Sequence, residues 1–278
     1  MIAYVIYNRY ESKRNCWFID ELIKEFETLG IKLKLLIEED LQLTINNKPT
    51  ILYESKQIDI PNFIINRTNN YIVTTQFESM GIKVFNNSNV SHFTNNKYLT
   101  YLKLSSYEIP VLNTNLVTKN INIDVDNFPV VIKPLSGKGG ADVYLCKNKC
   151  ELEENSNKIS DDNFIVQQVA SDIGKDLRVY ILGNKIYKAI LRVSKNGFKS
   201  NYCLGNDAIV YELNTDELKL INRILEIENF DYVGIDFLFH NSKIIFNEIE
   251  DSVGARMLYD KTDLNVARDL ARYIETIL

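Results

Sequence analysis

Residues 233–250 read VGIDFLFHNSKIIFNEIE, which is two apolar runs joined by a short polar turn. This pattern predicts two neighbouring strands with a hairpin join. Asp236 lies inside the first run, and a buried carboxylate needs a cation or several hydrogen-bond donors. Glu248 and Glu250 lie two residues apart in the second run, so they share one face of their strand.

The three acids of this hairpin are candidate metal ligands. Carboxylates that converge from two strands are what an oxygen-bound Mg²⁺ requires. The alternative is a half-exposed hairpin whose acids are solvated, and the apolar neighbours of Asp236 count against it. For Glu250 and Asp251 that alternative stays open.

A glycine-rich segment lies upstream of the hairpin. Residues 130–143 read VVIKPLSGKGGADV, so a strand delivers Lys133 and a flexible turn follows at once. Glycines let backbone N–H groups surround an anion, and lysines add compact positive charge. The segment is therefore a candidate flap over nucleotide phosphates, and a plain hairpin with solvated lysines stays open. It is not a Walker motif, because G-x-x-x-x-G-K-[ST] is absent.

A third group of charges lies between these two segments. Asp176 and Arg178 share one face of a predicted strand, and Arg192 and the segment 198–201 follow. Cations near a triphosphate stabilise the charge that develops in phosphoryl transfer. Taken alone, however, Asp176 and Arg178 are more commonly a simple ion pair.

The pattern of predicted secondary structure changes along the chain. Alternating strands and helices in the first part predict a Rossmann-like parallel sheet, an α/β front domain. From residue 128 onward, short strands with hairpin joins predict an α+β part. The predicted strands of the first part cover residues 2–7, 31–37, 63–66 and 83–85, and the predicted helices cover 18–29 and 72–80. The first strand lacks the G-x-G-x-x-G that an NAD-binding dehydrogenase requires.

Composition excludes several classes of protein. The 278 residues include 32 basic and 37 acidic side chains, for a formal net charge of −5, which argues against nucleic acid as a partner. No apolar run approaches the ~18 residues of a membrane span, and the N-terminus does not have the pattern of a secretory signal. The 4 cysteines and 2 histidines are scattered, which disfavours a zinc site and favours reduced thiols in the cytoplasm.

The order of these features resembles the ATP-grasp superfamily, nearest to its RimK-like carboxylate–amine ligases. The resemblance runs from about residue 65 to the last residue, and the first 85 residues resemble a pre-ATP-grasp domain in pattern only. It implies a division into residues 1–85, an N-lobe at 86–170 and a C-lobe at 171–278. The matching features, in order, are Lys97, Ile132-Lys133-Pro134 with the glycine-rich turn, Val166-Gln167-Gln168, Gly174-Lys175-Asp176-Leu177-Arg178, Arg192, Ser200-Asn201, Gly234-Ile235-Asp236 and Glu248-Ile249-Glu250.

The resemblance implies an ATP- and Mg²⁺-dependent ligase, with Mn²⁺ as an alternative metal. A carboxylate would attack the γ-phosphate to give an acyl phosphate and ADP, and an amine would then displace phosphate to form an amide. Asp236, Glu248 and Glu250 would hold the metal, and the catalytic residues would be Arg178, Arg192 and Asn201. The implied nucleotide-binding residues are Lys97, Lys133, Ser136, Gly137, Lys138, Gly139, Gly140, Gln167, Gln168, Val169, Asp176 and Lys199.

The sequence departs from the family pattern at several positions. Gln168 stands where relatives usually have Glu, Glu250 where they have Asn, and Lys199 where they often have Arg. The segment after Glu250 also lacks the usual proline. The extra charge of Glu250 calls for a compensating cation, and Arg256 is a candidate for it or for a clamp on a substrate carboxylate.

The expected substrate is a small amino acid or a peptide, in the cytoplasm, with no nucleic acid or membrane partner and with a homo-oligomer left open. One alternative is an ATP-grasp ligase that uses a different nucleophile or forms a carbamoyl product. Another is a nucleotide-binding module without catalysis, although a scaffold has no need for charges such as Asp236 in apolar strands.

Overall fold

A computed structural model describes residues 1–119, 125, 127–137, 140, 142–194 and 207–278. The helices are α1 (Arg9–Arg14), α2 (Cys16–Thr28), α3 (Tyr71–Ser79), α4 (Ser88–Thr94), α5 (Lys97–Ser105), α6 (Lys149–Ser156), α7 (Thr215–Ile227), α8 (Arg256–Lys261) and α9 (Val266–Thr276). The strands are β1 (Ile2–Tyr7), β2 (Lys32–Ile37), β3 (Leu41–Asn46), β4 (Lys48–Tyr53), β5 (Lys56–Gln57), β6 (Phe63–Asn66), β7 (Lys83–Phe85), β8 (Thr114–Thr118), β9 (Val130–Pro134), β10 (Tyr144–Cys146), β11 (Asn163–Gln168), β12 (Lys175–Leu182), β13 (Lys185–Val193), β14 (Asp207–Val210), β15 (Tyr232–His240) and β16 (Lys243–Glu250).

The first sheet, here called the front sheet, has the order β2-β1-β6-β7 and is parallel throughout. Its central strands are almost entirely apolar, as expected for parallel strands covered on both faces. Helix α2 buries Phe18, Leu22 and Phe26 on one face and is followed by Gly30 at a φ of 68°. That left-handed conformation favours glycine and turns the chain into β2.

A small antiparallel sheet, β3-β4-β5, covers a segment that the sequence analysis left without an element. Gln76 of α3 anchors it by donating from Nε2 to the carbonyl oxygens of Thr44 and Thr50, at 3.1 and 3.0 Å. Its inner face packs on α3, where Ile51 of β4 is buried in one cluster with Phe77, while Ile45 of β3 is exposed.

The second part of the chain contributes two antiparallel sheets. One has the order β10-β9-β11-β8, and the other has the order β14-β13-β12-β15-β16. The predicted fold class, an α/β front followed by an α+β part, is confirmed. Every helix in the described part of the chain is too short or too polar to cross a membrane.

The hydrophobic core of the front sheet is completed from the far end of the sequence. Leu270 and Ile274 of α9 lie in the same buried cluster as Leu22 and Phe26 of α2. Asn265, which caps α9, also donates to Glu25 of α2 at 3.0 Å. This cluster contains residues from before residue 85 and from after residue 170. The division of the chain at these two positions stays a prediction.

We predict that Leu270→Ala lowers the free energy of unfolding by about 2–5 kcal/mol, because it leaves a cavity in this shared cluster. Glu275→Ala, on the exposed face of the same helix, is the matched control and should change it by less than about 0.5 kcal/mol. Urea unfolding measures both. Equal effects of the two substitutions would contradict the shared core.

Candidate active site

The β15–β16 hairpin brings its three acids together. In its register Asp236 lies opposite Glu248, and Gly234 lies opposite Glu250. Within the described residues, carboxylate oxygens of Asp236, Glu248 and Glu250 lie within 4.8 Å of one another. Glu248 and Glu250 do share a face, as the two-residue period predicts.

A β-bulge at Asn247 interrupts the regular alternation of this hairpin. The register passes from Phe237 opposite Phe246 to Asp236 opposite Glu248, so Asn247 is the extra residue. Because a bulge turns two successive side chains toward one side, Asn247 and Glu248 both line the cleft described below. The sequence does carry a signal: the buried residues Ile244, Phe246 and Ile249 change their spacing from two to three at this point.

Two arginines balance the acids from the neighbouring strands. Arg178 of β12 donates from Nε and Nη2 to the two carboxylate oxygens of Asp236, both at 2.7 Å, and Nη2 lies 2.8 Å from Glu250. Arg192 of β13 donates from Nη2 to Asp236 at 2.7 Å and makes a two-pronged contact with Asp176. The charges therefore form a buried chain, with Asp236, only 2% exposed, at its centre.

The pKa values of Asp236 and Glu248 are shifted in opposite directions. Burial alone raises the pKa of Asp236, but the charges of Arg178 and Arg192 outweigh burial and lower it to about 2. The pKa of Glu248 is instead raised, mainly by burial, and further by the nearby charges of Glu250 and Asp236, despite Lys97. A cation beside Glu248 would relieve that repulsion.

Two lysines approach Glu248 from the other side. Lys97, the first residue of α5, donates to the carbonyl oxygen of Gly137 at 2.9 Å, and its Nζ lies 3.6 Å from Glu248. Lys133 of β9 donates to Tyr101 at 2.6 Å and to Asn247 at 3.2 Å. Burial lowers the pKa of Lys133 to about 8, against the opposing effect of Glu248.

A cleft that is partly open to solvent lies beside these groups. Lys97, Lys133 and Glu248 line its charged end, and the strand end Gln167-Gln168-Val169 lines another part. Further lining residues that the sequence analysis had proposed are Gly137, Gly140 and Asp176.

Other proposed site residues have different positions. Arg178 and Arg192 do not appear among the described residues of the cleft wall, and they lie behind the acids that they neutralise. Ser136 and Arg256 are exposed and also lie outside that wall. Four of the proposed residues, Lys138, Gly139, Lys199 and Asn201, lie outside the described residues.

The sequence analysis missed Tyr101 and Asn247, which hold the Lys133 ammonium. Tyr101 could have been found, because it lies four residues after Lys97 and so shares that face of α5. It also missed Asp172 and Lys175 of the cleft wall, which come from the turn after β11 and the start of β12.

Comparison with known proteins gives consistent results. The family model for the RimK-like ATP-grasp domain matches residues 94–274. Uncharacterized protein MG011 of Mycoplasma genitalium is 31% identical over 98% of this chain and 92% of its own length. A probable alpha-L-glutamate ligase of Maridesulfovibrio salexigens is 26% identical over 95% of this chain and 93% of its own. The crystal structure of a RimK domain ATP-grasp protein from Sphaerobacter thermophilus has a TM-score of 0.72 at 16% identity, covering 99% of this chain and all of the other.

We predict that Arg192→Met destabilises the fold by about 3–5 kcal/mol at pH 7, because it leaves Asp176 and Asp236 buried with one partner fewer. The loss should shrink as the pH falls, because burial already raises the pKa of Asp176 and loss of Arg192 raises it further, so the variant's acids are protonated first, whereas Asp236 of the wild type keeps its charge down to a pKa of about 2. Arg9→Met, which breaks an exposed pair with Asp40, is the control and should cost less than about 1 kcal/mol. Thermal unfolding from pH 3 to pH 8 measures both, and a pH-independent loss in Arg192→Met would contradict the assignment.

Proposed function

Because this chain belongs to the RimK-like ATP-grasp family of ATP-dependent carboxylate–amine ligases, we propose that it works through an acyl phosphate and releases ADP and phosphate. One observation carries the proposal: two buried lysines meet, at one end of the cleft, a cluster of three acids of which Glu248 lines the wall. This is the arrangement that phosphoryl transfer needs, since its catalysis consists mainly of positioning and charge stabilisation.

In this proposal Lys97 and Lys133 hold the phosphates, and Gln167-Gln168-Val169 receive the base through backbone groups. Tyr101 and Asn247 fix the ammonium of Lys133, so its charge is aimed before a nucleotide binds. Such preorganised charge costs no rearrangement when the reaction occurs. The glycine turn, with Gly137 and Gly140, covers the phosphates and limits the access of water.

The donor set at Asp236, Glu248 and Glu250 fits Mg²⁺, because three carboxylates within 4.8 Å of one another are hard oxygen ligands. When bound, the metal neutralises charge on the phosphates and polarises them toward attack. Mn²⁺ accepts the same ligands. The chain itself supplies the fixed spacing of the acids, which Arg178 maintains by contacting Asp236 and Glu250 together.

We propose that Asn201 stabilises charge on the γ-phosphate and the acyl phosphate, and that Arg178 and Arg192 add to this from behind the acids, by offsetting the acids' negative charge. The substrates in this proposal are a small acid and an amino acid or peptide, with Arg256 as a clamp for a carboxylate. The names of the relatives make L-glutamate the first amine to test. The site of the reaction is proposed to be the cytoplasm, where ATP is available.

We predict release of ADP and inorganic phosphate, and no AMP, when the chain is given ATP, Mg²⁺ and a panel of amino acids and dipeptides that includes L-glutamate. Glu248→Gln should lower the rate at least about 100-fold without a change in thermal unfolding, because it removes a metal ligand. Glu212→Gln, at an exposed position, is the control. Chromatography of the nucleotides gives the answer: AMP as the product would overturn the acyl-phosphate mechanism.

We also predict that nucleotide binding takes up a proton at high pH. With a pKa of about 8, Lys133 is charged below pH 8 and is about nine-tenths neutral at pH 9, yet a phosphate binds its charged form. ATP affinity should therefore fall by up to about tenfold per pH unit above pH 8. Calorimetry in two buffers of different ionisation enthalpy counts the protons. Lys133→Arg should abolish the uptake and the exposed control Lys158→Arg should not, whereas pH-independent binding by the wild type would refute the role.

A further inference from the structure

Both ends of the β15–β16 hairpin are held by residues that directly follow strands of the front sheet. Arg67 follows β6 and Asn86 follows β7, and both are buried. The carboxyl ends of parallel strands are the edge where such sheets usually bind ligands. Here the same edge contacts the hairpin that carries Asp236, Glu248 and Glu250.

Asn86 uses its whole hydrogen-bonding capacity on the hairpin ends. Its Nδ2 donates to the carbonyl oxygen of Tyr232 at 3.0 Å and to that of Asp251 at 2.9 Å. Its Oδ1 accepts from the backbone N–H groups of Asp231 at 2.9 Å and Tyr232 at 3.1 Å. An Asn side chain has two donor hydrogens and two acceptor positions, so all four are used. One side chain thus ties the start of β15 to the residue that follows β16.

Arg67 makes a second link to the same region. It donates from Nη2 to the carbonyl oxygen of Val253, and its guanidinium lies 5.3 Å from the centre of the Tyr232 ring. The Arg67 side chain therefore contacts the start of β15 and the segment after β16 together, as Asn86 does.

These contacts lie close to the acids. Tyr232 is two residues before Gly234, which is opposite Glu250 in the register. Val253 packs against Gly234 so closely that a Cβ there would lie 2.6 Å from the Val253 Cγ2. The separation of the two strands at this end, and with it the distance from Glu250 to Asp236, is therefore fixed by what holds Tyr232 and residues 251–253.

We propose that Asn86 and Arg67 are positioning residues of the metal site: by fixing the open end of the hairpin, they hold Glu250 in reach of a cation shared with Asp236 and Glu248. This inference rests on the proposed function. It links the front sheet to the metal site through backbone carbonyl groups, without a contact to the metal itself. A substrate bound at the carboxyl edge of the front sheet would lie next to the same two residues.

A control for loss of stability is available in helix α3. Gln76 is buried, as Asn86 is, and its Nε2 donates to the carbonyl oxygens of Thr44 and Thr50, at 3.1 and 3.0 Å. Both partners lie in the small sheet β3-β4-β5 and not in the hairpin. Gln76→Ala therefore removes buried hydrogen bonds to backbone groups without loosening the ends of β15 and β16.

The test measures Mn²⁺ binding by electron paramagnetic resonance of the free ion, with the full chain and saturating ADP. We expect Asn86→Ala to weaken Mn²⁺ binding at least tenfold and Gln76→Ala to leave it within twofold, although both lower the melting temperature. ADP affinity in EDTA should change less than twofold in either variant, because the cleft wall is not touched. Equal Mn²⁺ affinity in Asn86→Ala and the wild type, or an equal loss in Gln76→Ala, would overturn the inference.

Hydrogen exchange of the backbone amides of residues 248–254 gives a second, metal-independent readout. Asn86→Ala should speed exchange there more than Gln76→Ala does, and uniform acceleration across the chain would overturn the positioning role. If Asn86→Ala does not fold, Arg67→Lys is measured in its place, and it should weaken Mn²⁺ binding for the same reason. If the wild type binds no Mn²⁺ with ADP, the metal-dependent function fails, while the exchange comparison still decides whether Asn86 holds the hairpin.

Discussion

The carboxylate of Asp236 is held almost entirely away from water, and its charge has to be balanced within the protein. Two guanidinium groups do this from two different strands, so β12 must pair with β15, and β13 with β12, each in a fixed register. The pairing of β15 with β16 sets Glu248 and Glu250 next to Asp236, because these residues are placed by strand pairing and not by loops. Buried charges of this kind contribute little net stability, but removing one partner is expensive. The order of strands in the large sheet therefore determines which charged side chains meet in the site.

The sequence predicts this site well where local pattern and chemistry agree. The isolated acid in 233–239, the two acids spaced by two at 248 and 250, and Lys133 are visible without a structure, whereas Lys97 was implied only by the family resemblance. The arginine partners were recognised as cations, but their contacts with the acids depend on strand order, which a single sequence does not specify. The bulge at Asn247 inserts one extra residue into the strand, and a search for strict two-residue alternation does not find it. The role of Asn86 is harder to predict, because a polar residue after a short strand looks like part of a linker. Its four hydrogen bonds are to backbone groups about 150 residues further along the chain.

The fold class was predictable for similar reasons, whereas the small β3-β4-β5 sheet was not predicted. Leu41, Leu43 and Ile45 alternate with polar residues as in a strand, but the apolar face of this sheet is covered by α3, a partner that the local pattern does not identify. The shared cluster of α2 and α9 is also invisible in a local reading. Each helix has an apolar stripe, but the sequence does not say that the two stripes face each other. Helical periodicity predicts which face of a helix is buried, but only the tertiary structure shows which element that face packs against.

The pairing of α2 with α9 has a consequence for the order in which the chain can fold during synthesis. Glu25 and its partner Asn265 are 240 residues apart. At the usual elongation rate of about 5–20 residues per second, α2 leaves the ribosome roughly ten to fifty seconds before α9 exists. During that interval α2 can already pack on the front sheet, where Phe26 meets Phe63 of β6, but the side of the cluster that α9 completes stays open. We therefore expect a chain that stalls before residue 266 to expose that part of the core to aggregation or proteolysis.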